Sequence, residues 1–291
     1  MAFHLKDSES IEESVQRIAD DELNDALALL RKRNVSLIEK VHEVRKSTKK
    51  LRALLRLIRS GVSGALYRFE NGCFRDMGHQ LSDARDAQIL IECIEKLRKS
   101  HRIAAPVARP VQRALLQNRD GIDALLKGKN VLESLAGELE AARERVPQWR
   151  LKRNKRKTIY DGFSHTYKSG RKALVAALET PEMATYHTWR KRVKALNYHA
   201  RMLQPLWPEL MDKLEADTGK LGELLGDDHD LAVLKNVIQA APAVFGGKQI
   251  VRSVSAAVNK QSRDLRAEAV VHGEKIYAET TKVFLARFDA P

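Results

Sequence analysis

The stretch that decides the fold runs from residue 41 to residue 58 and reads VHEVRKSTKKLRALLRLI. Its core-compatible residues recur at alternating spacings of three and four, which is typical of a helix packed in a bundle. They are Val41, Val44, Thr48, Leu51, Leu55 and Ile58. At about 100° per residue the basic side chains fall on another face, so we predict a helix with one packed seam and one cationic stripe.

Residues 186–203 repeat this pattern as YHTWRKRVKALNYHARML. An offset of 145 (187 − 42) aligns His42 with His187, Arg45 with Arg190, Lys46 with Lys191, Lys49 with Lys194, and Arg56 with Arg201. The second seam consists of Tyr186, Trp189, Val193, Leu196, Ala200 and Leu203. We interpret the chain as two matched halves in one unit, divided into residues 1–148 and 149–291.

Two cationic stripes in register indicate a polyanion as the ligand. From His42 to Arg56 a stripe spans roughly 21 Å, at about 1.5 Å per residue, which suits a linear anion. A solvated helix face explains one such stripe, whereas two copies favour a binding site. A metal site at His42 is disfavoured, because cations occupy its helical neighbours and no carboxylate or thiol stands at ligand spacing.

Composition supports a water-soluble, anion-binding chain. The 52 Lys and Arg residues exceed the 38 Asp and Glu residues and give a net charge of +14, which attracts phosphate polymers or anionic membranes. Aromatic residues make up only 5%, few for the stacking platforms of single-strand binders. Cys73 and Cys93 form neither a metal-binding motif nor a disulfide framework. With no signal peptide or membrane span in the sequence, we expect a cytoplasmic protein without cofactor or metal.

The rest of the chain also has the composition of helices, so the predicted fold class is all-α: two pseudo-symmetric helical bundles around a central basic cavity. Thr180–Glu182 is expected to open the second repeat helix, with Pro181 in its first turn. Two further matching segments, LSDARDAQIL at 81–90 and LGDDHDLAVL at 225–234, have acids at N-cap spacing. The bland interpretation of those acids is helix capping. Arg85 and His229, between the acids, could contact a ligand or pair with Asp.

Between the halves lies the densest basic stretch, residues 150–172. If it forms one helix, a single face carries Arg153, Lys157, Ser164, Lys168 and Arg171. That face is either an exposed linker or an additional wall of an anion site in front of the second repeat helix.

At these motifs the sequence resembles the CHAD family, the conserved histidine α-helical domain. The resemblance rests on HEVRKSTKKLR at 42–52, HTWRKRVKALNY at 187–198, TYKSGRKAL at 166–174 and the two acidic segments. It implies two helical bundles related by pseudo-two-fold symmetry around a basic cavity or pore that binds inorganic polyphosphate. It also implies an association with polyphosphate granules, and it implies no catalytic activity for the helical domain.

We therefore predict a non-enzymatic polyphosphate-binding protein. The predicted contacts are His42, Arg45, Lys46, Lys49, Arg52, Arg56, Lys168, Arg171, His187, Arg190, Lys191, Lys194, Tyr198 and Arg201. A nearby polyanion favours protonated His42 and His187, so binding is expected to strengthen below neutral pH. Two alternatives stay open: a nucleic-acid-binding protein and, with less support, an enzyme that transfers or hydrolyses phosphate.

Overall fold

The computed structural model describes residues 3–152 and 155–288. Within these ranges it contains α-helices and no strand, so the predicted all-α fold class is confirmed. The helices are α1 Ile11–Arg31, α2 Leu37–Leu57, α3 Gly64–Gln80, α4 Ser82–Lys99, α5 Ala105–Gly128, α6 Val131–Arg145, α7 Lys155–Glu179, α8 Met183–Leu203, α9 Pro208–Ala240, α10 Lys248–Ile276 and α11 Thr281–Ala286. A short 3-10 helix, Val146–Gln148, follows α6. Arg153, from the predicted basic face, lies outside the described residues.

Helix order in the second half of the chain follows that in the first at an offset of 144 or 145. Helices α7 and α8 take the places of α1 and α2, and α10 takes the place of α5. The long α9 spans the positions of α3 and α4 together. The division into residues 1–148 and 149–291, with its pseudo-two-fold symmetry, remains a prediction.

Both predicted seams are buried. Every residue of each seam is at most 6% exposed, and Tyr186 is the most accessible of them. The buried side chains form one hydrophobic cluster that draws on helices from both halves of the chain. Burying branched and aromatic side chains of this size stabilises the fold by about 1.5–3 kcal/mol each, which fixes α2 and α8 with their basic faces turned away from the core.

The structure corrects two local predictions. Helix α8 begins at Met183 with Glu182 as its N-cap, so Pro181 precedes the helix instead of entering its first turn. Helix α9 continues without a break through Asp227 and Asp230, which therefore cap nothing. In the first half α4 begins after Leu81 and Asp83 lies in its first turn, but the N-cap is Leu81 and no described side chain caps the helix.

Helix α7 crosses the end of α2 at very close range. A Cβ at Gly162 would overlap the backbone of Leu57, so only glycine fits where the two helices meet. The turn of α7 before this crossing lies beside the segment that follows α2, where a Cβ at Gly61 would overlap the Thr158 side chain. None of the described helices has the length and apolar character that a membrane span requires.

Candidate functional site

A cavity of about 790 Å³ lies among α2, α4, α8 and α9. The two repeat helices contribute one set of lining residues: His42, Arg45, Lys46, Lys49, Arg52 and Arg56 from α2, with His187, Arg190, Lys191, Lys194, Ala195 and Tyr198 from α8. The other set comes from α4 and α9: Arg85, Asp86, Ile89, Lys96, Gly222, Glu223, Gly226, Asp227, His229 and Asp230. Most of the predicted contact residues therefore meet in one cavity, although they come from two distant stretches of sequence.

Most cations in this cavity have no anionic partner. Lys46 pairs with Glu43 at 3.0 Å, Lys96 with Asp227 at 2.8 Å, and Arg85 with Glu92 at 3.6 Å. Within residues 3–152 and 155–288, no carboxylate lies within 4.0 Å of the remaining basic side chains. These are Arg45, Lys49, Arg52, Arg56, Arg190, Lys191 and Lys194. Unneutralised like charges around one cavity repel each other, and a bound polyanion would relieve that repulsion.

Arg45 and Arg190, equivalent in sequence, are held differently. Arg45 donates through Nη1 to the carbonyl of Gly78 and, at 3.0 Å, to the Ser82 hydroxyl. Arg190 lies against α9, where a Cβ at Gly226 would stand 3.7 Å from its Nε. The Nε of each arginine is buried and has no hydrogen-bond partner among the described residues. Because both Nε atoms are enclosed by protein, a phosphate oxygen could accept hydrogen bonds only from the terminal N–H groups of each guanidinium.

The surrounding charges shift the protonation of Lys49. Its side chain reaches solvent through the cavity mouth, yet nearby protein limits its hydration. Burial, followed by the charges of Arg45, Lys194 and Arg190, lowers the pKa of Lys49 to about 7. A substantial fraction of Lys49 is consequently neutral near pH 7 in the empty cavity.

Two neighbouring cations are shifted in the same direction. Burial, with the charge of Arg190, lowers the pKa of Lys194. Burial, with the charge of Arg52, lowers the pKa of Arg56 to about 10, which still leaves it charged at pH 7. An anion bound beside these groups would raise their pKa again.

Three imidazoles face the cavity. Burial and the charge of Arg85 lower the pKa of His42. Burial, followed by the Lys191 and Arg190 charges, lowers the pKa of His187. Burial and Arg190 lower the pKa of His229 to about 4. In the empty cavity all three rings are therefore mainly neutral at pH 7, and each still offers one N–H donor.

Four carboxylates line the cavity together with the cations, namely Asp86, Glu223, Asp227 and Asp230. Burial raises the pKa of Asp86 and of Asp230, and the charges of Arg45 and Arg190 respectively oppose that rise. The charge of Arg190, from the second half of the chain, also opposes the rise in the pKa of Asp86, and the charge of Arg85, from the first half, does the same for Asp230. Among the described residues, no group of three or more His, Cys, Asp or Glu side chains is arranged to hold a metal ion.

Three predicted contact residues do not line the cavity. Arg201 pairs with Glu215 at 3.4 Å and covers the ring of Phe3, because the last turn of α8 faces the first turns of α9. Arg171 donates from Nε to the Tyr277 carbonyl at 3.4 Å. Lys168 is exposed on the outer surface of α7.

Conversely, the cavity includes Arg85 and His229, for which the sequence left ligand contact and Asp pairing open. Both occupy the same position between the acids of the two matching segments. Lys96 also lines the cavity, paired with Asp227. Its approach to α9 depends on the packing of α4 against α9, and no repeated motif marks it.

Comparison with known proteins fits this arrangement. The family model described as the CHAD domain matches residues 14–239. Among solved structures, the crystal structure of the CHAD domain from the plant Ricinus communis aligns with a TM-score of 0.59 and 17% sequence identity. That alignment covers 100% of this chain and 96% of the plant chain, and at such low identity it shows a shared fold only. Comparison with curated protein sequences gave no significant match. Because the family model covers most of its length, the chain belongs to the CHAD domain family.

Proposed function

We propose that this protein binds inorganic polyphosphate in the cavity among α2, α4, α8 and α9. The observation that supports this most directly is the set of cations without carboxylate partners that both repeat helices turn into one cavity. The terminal N–H groups of Arg45 and Arg190, both of which line the cavity, add directed donors. A chain of phosphates supplies one negative charge after another and several acceptor oxygens per unit, which matches a row of fixed cations.

The proposed role is binding and not catalysis. The residues proposed to contact phosphate are Arg45, Lys49, Arg52, Arg56, Arg190, Lys191 and Lys194, through charge-assisted hydrogen bonds. His42, His187, His229 and Tyr198 add neutral donors along the walls. Binding of long chains would also allow the protein to associate with polyphosphate granules in the cytoplasm. A fluorescent fusion that stays diffuse in granule-containing cells would contradict that association.

Titration calorimetry with polyphosphates of defined length, competed by RNA and by duplex DNA, tests the ligand class. With concentrations expressed per phosphate, we expect polyphosphate to displace bound RNA or DNA at a lower concentration than RNA or DNA needs to displace bound polyphosphate. Affinity should fall steeply as salt rises, by analogy with counterion release from DNA. Preferential binding of RNA or DNA would replace this proposal with a nucleic-acid-binding function.

Phosphate release from polyphosphate, measured with and without Mg²⁺, tests the absence of catalysis. We expect binding without release of phosphate under either condition. Release that is lost when Arg190 is replaced by Glu would instead establish a phosphate-transferring or hydrolysing enzyme at this site.

A further inference from the structure

A second group of unpartnered cations lies outside the cavity, on the surface where α7 crosses the end of α2. We call it the outer patch, and it consists of Arg59, His165, Lys168 and Arg192. All four side chains are exposed. In the part of the chain that the structure describes, no carboxylate lies within 4.0 Å of any of them.

Helix packing brings the patch residues together, because α7, which carries His165 and Lys168, packs against both α2 and α8. His165 reaches solvent, yet nearby protein limits its hydration, and the pKa of His165 is lowered first by that partial burial and then by the charges of Arg59, Arg192 and Lys168. These charges come from the segment after α2, from α8 and from α7, so the patch exists only in the folded chain. His165 and Lys168 lie about one turn apart on α7, just after its crossing with α2 at Gly162.

The outer patch adjoins the cavity. The charge of Arg192 contributes to the lowered pKa of two lining residues, Lys191 and Arg56, after the effect of burial in each case. Tyr67 connects the same two regions: its ring lies 4.8 Å from the guanidinium carbon of Arg59, and its hydroxyl neighbours Arg56. Tyr67 and Arg192 therefore connect the outer patch with Arg56 in the cavity.

We propose that the outer patch is a subsite for the part of a long polyphosphate that extends beyond the cavity. This proposal rests on the proposed function and adds a preference for chain length. A solvated basic face would tend to separate its charges or pair them with acids, because unscreened like charges raise the free energy of the fold. Here the charges instead lie unpaired beside the cavity residues Arg56 and Lys191, as contact with a single linear anion requires.

The test compares one ligand that fits inside the cavity with one that does not. Tripolyphosphate and a long-chain polyphosphate are titrated into three full-length proteins. These are the wild type, a patch variant Arg59→Gln/Lys168→Gln/Arg192→Gln, and a control variant Arg113→Gln/Lys127→Gln/Arg263→Gln. The control removes the same number and type of charges from exposed positions elsewhere. Circular dichroism and melting temperature establish that all three proteins are folded.

We expect the patch variant to lose about tenfold or more in affinity for the long chain, since the lost phosphate contacts no longer release counterions. Its affinity for tripolyphosphate should stay within about twofold of wild type, as should both affinities of the control variant. The salt dependence of long-chain binding should also become shallower in the patch variant.

Each other outcome contradicts a specific claim. Long-chain affinity that is unchanged in the patch variant, or lost equally in both variants, would overturn the subsite while leaving the cavity proposal intact. Equal losses for tripolyphosphate and the long chain in the patch variant would show that these cations act within the cavity field and not as a separate subsite. A wild-type protein that binds neither ligand would overturn the proposed function and the subsite with it.

Discussion

The imidazole rings of His187 and His229 lie 4.4 Å apart between centroids and are tilted by 31°. They come from α8 and α9, and the Nδ1 atom of each ring is buried without a hydrogen-bond partner among the described residues. Protonating one ring disfavours protonation of the other at this distance. A bound polyanion would offset that repulsion, so under the proposed function the pair would couple ligand binding to proton uptake in acid.

The histidines should control the pH dependence of binding below about pH 6.5. Burial lowers the pKa of His42 and of His187 in the free protein, and a polyanion raises it, so affinity should increase as pH falls through this range. A His42→Gln/His187→Gln variant should lose most of the increase between pH 6.5 and 5. Calorimetry at several pH values measures it. If the variant keeps the full increase in affinity, other titratable groups, such as Asp86 and Asp230, are responsible for the pH dependence.

Lys49 should control the dependence above pH 7. Its pKa is about 7 in the empty cavity and rises when an anion binds, so binding takes up a proton and weakens as pH increases from 7 to 9. Lys49→Arg keeps the charge at every pH and should flatten this decline. Proton uptake follows from calorimetry in buffers of different ionisation enthalpy. The matched control is Lys46→Arg, because Lys46 already pairs with Glu43. If the control flattens the decline of affinity with pH as much as Lys49→Arg does, Lys49 has no specific role in it.

Charge reversal at the two equivalent arginines should affect binding alike and stability differently. Arg45→Glu and Arg190→Glu should each weaken polyphosphate binding by at least about tenfold, because the reversed charge meets the anion within the cavity. Arg45→Glu should also cost about 1–2 kcal/mol of stability, since it removes hydrogen bonds to Gly78 and Ser82. Chemical denaturation measures that difference.

The control for this comparison is Arg113→Glu/Lys127→Glu, which reverses exposed charges elsewhere. Surface charges beyond roughly 10 Å are largely screened at 0.1 M salt, so binding should change little. If the control loses as much affinity as Arg190→Glu, net charge and not the cavity determines binding.

His199 should make the fold sensitive to acid. It is fully buried, with Nε2 2.9 Å from the carbonyl of Ala53, and burial lowers its pKa to about 4. As pH falls below about 6.5, this histidine takes up a proton in the unfolded chain but not in the folded chain. The free energy of unfolding is therefore highest above pH 6.5 and decreases towards pH 4, by up to about 3 kcal/mol. His199→Leu, which copies the equivalent Leu54, should reduce that pH dependence. An unchanged slope of unfolding free energy against pH would contradict this assignment.

The sequence by itself determined the packing of the two repeat helices. The spacing of hydrophobic residues along a helix is a local property of the sequence, and it decides which face of the helix is buried. All the predicted residues of both seams are accordingly buried. The same periodicity placed the lining residues from His42 to Arg56 on one face. The order of the motifs also identified the family, because motif order is written along the chain.

Only the tertiary structure decided which cations share a cavity and in what state. Arg56 and Arg201 occupy equivalent positions in the repeat, yet Arg56 lines the cavity while Arg201 pairs with Glu215 of α9. Likewise, continuity of α9 placed Asp230 within a helix, not at a cap. The pKa of Lys49 depends on side chains from α2 and α8 that meet only after folding. Electrostatic interactions depend on distance in space, and that distance between residues far apart in the chain is set by helix packing.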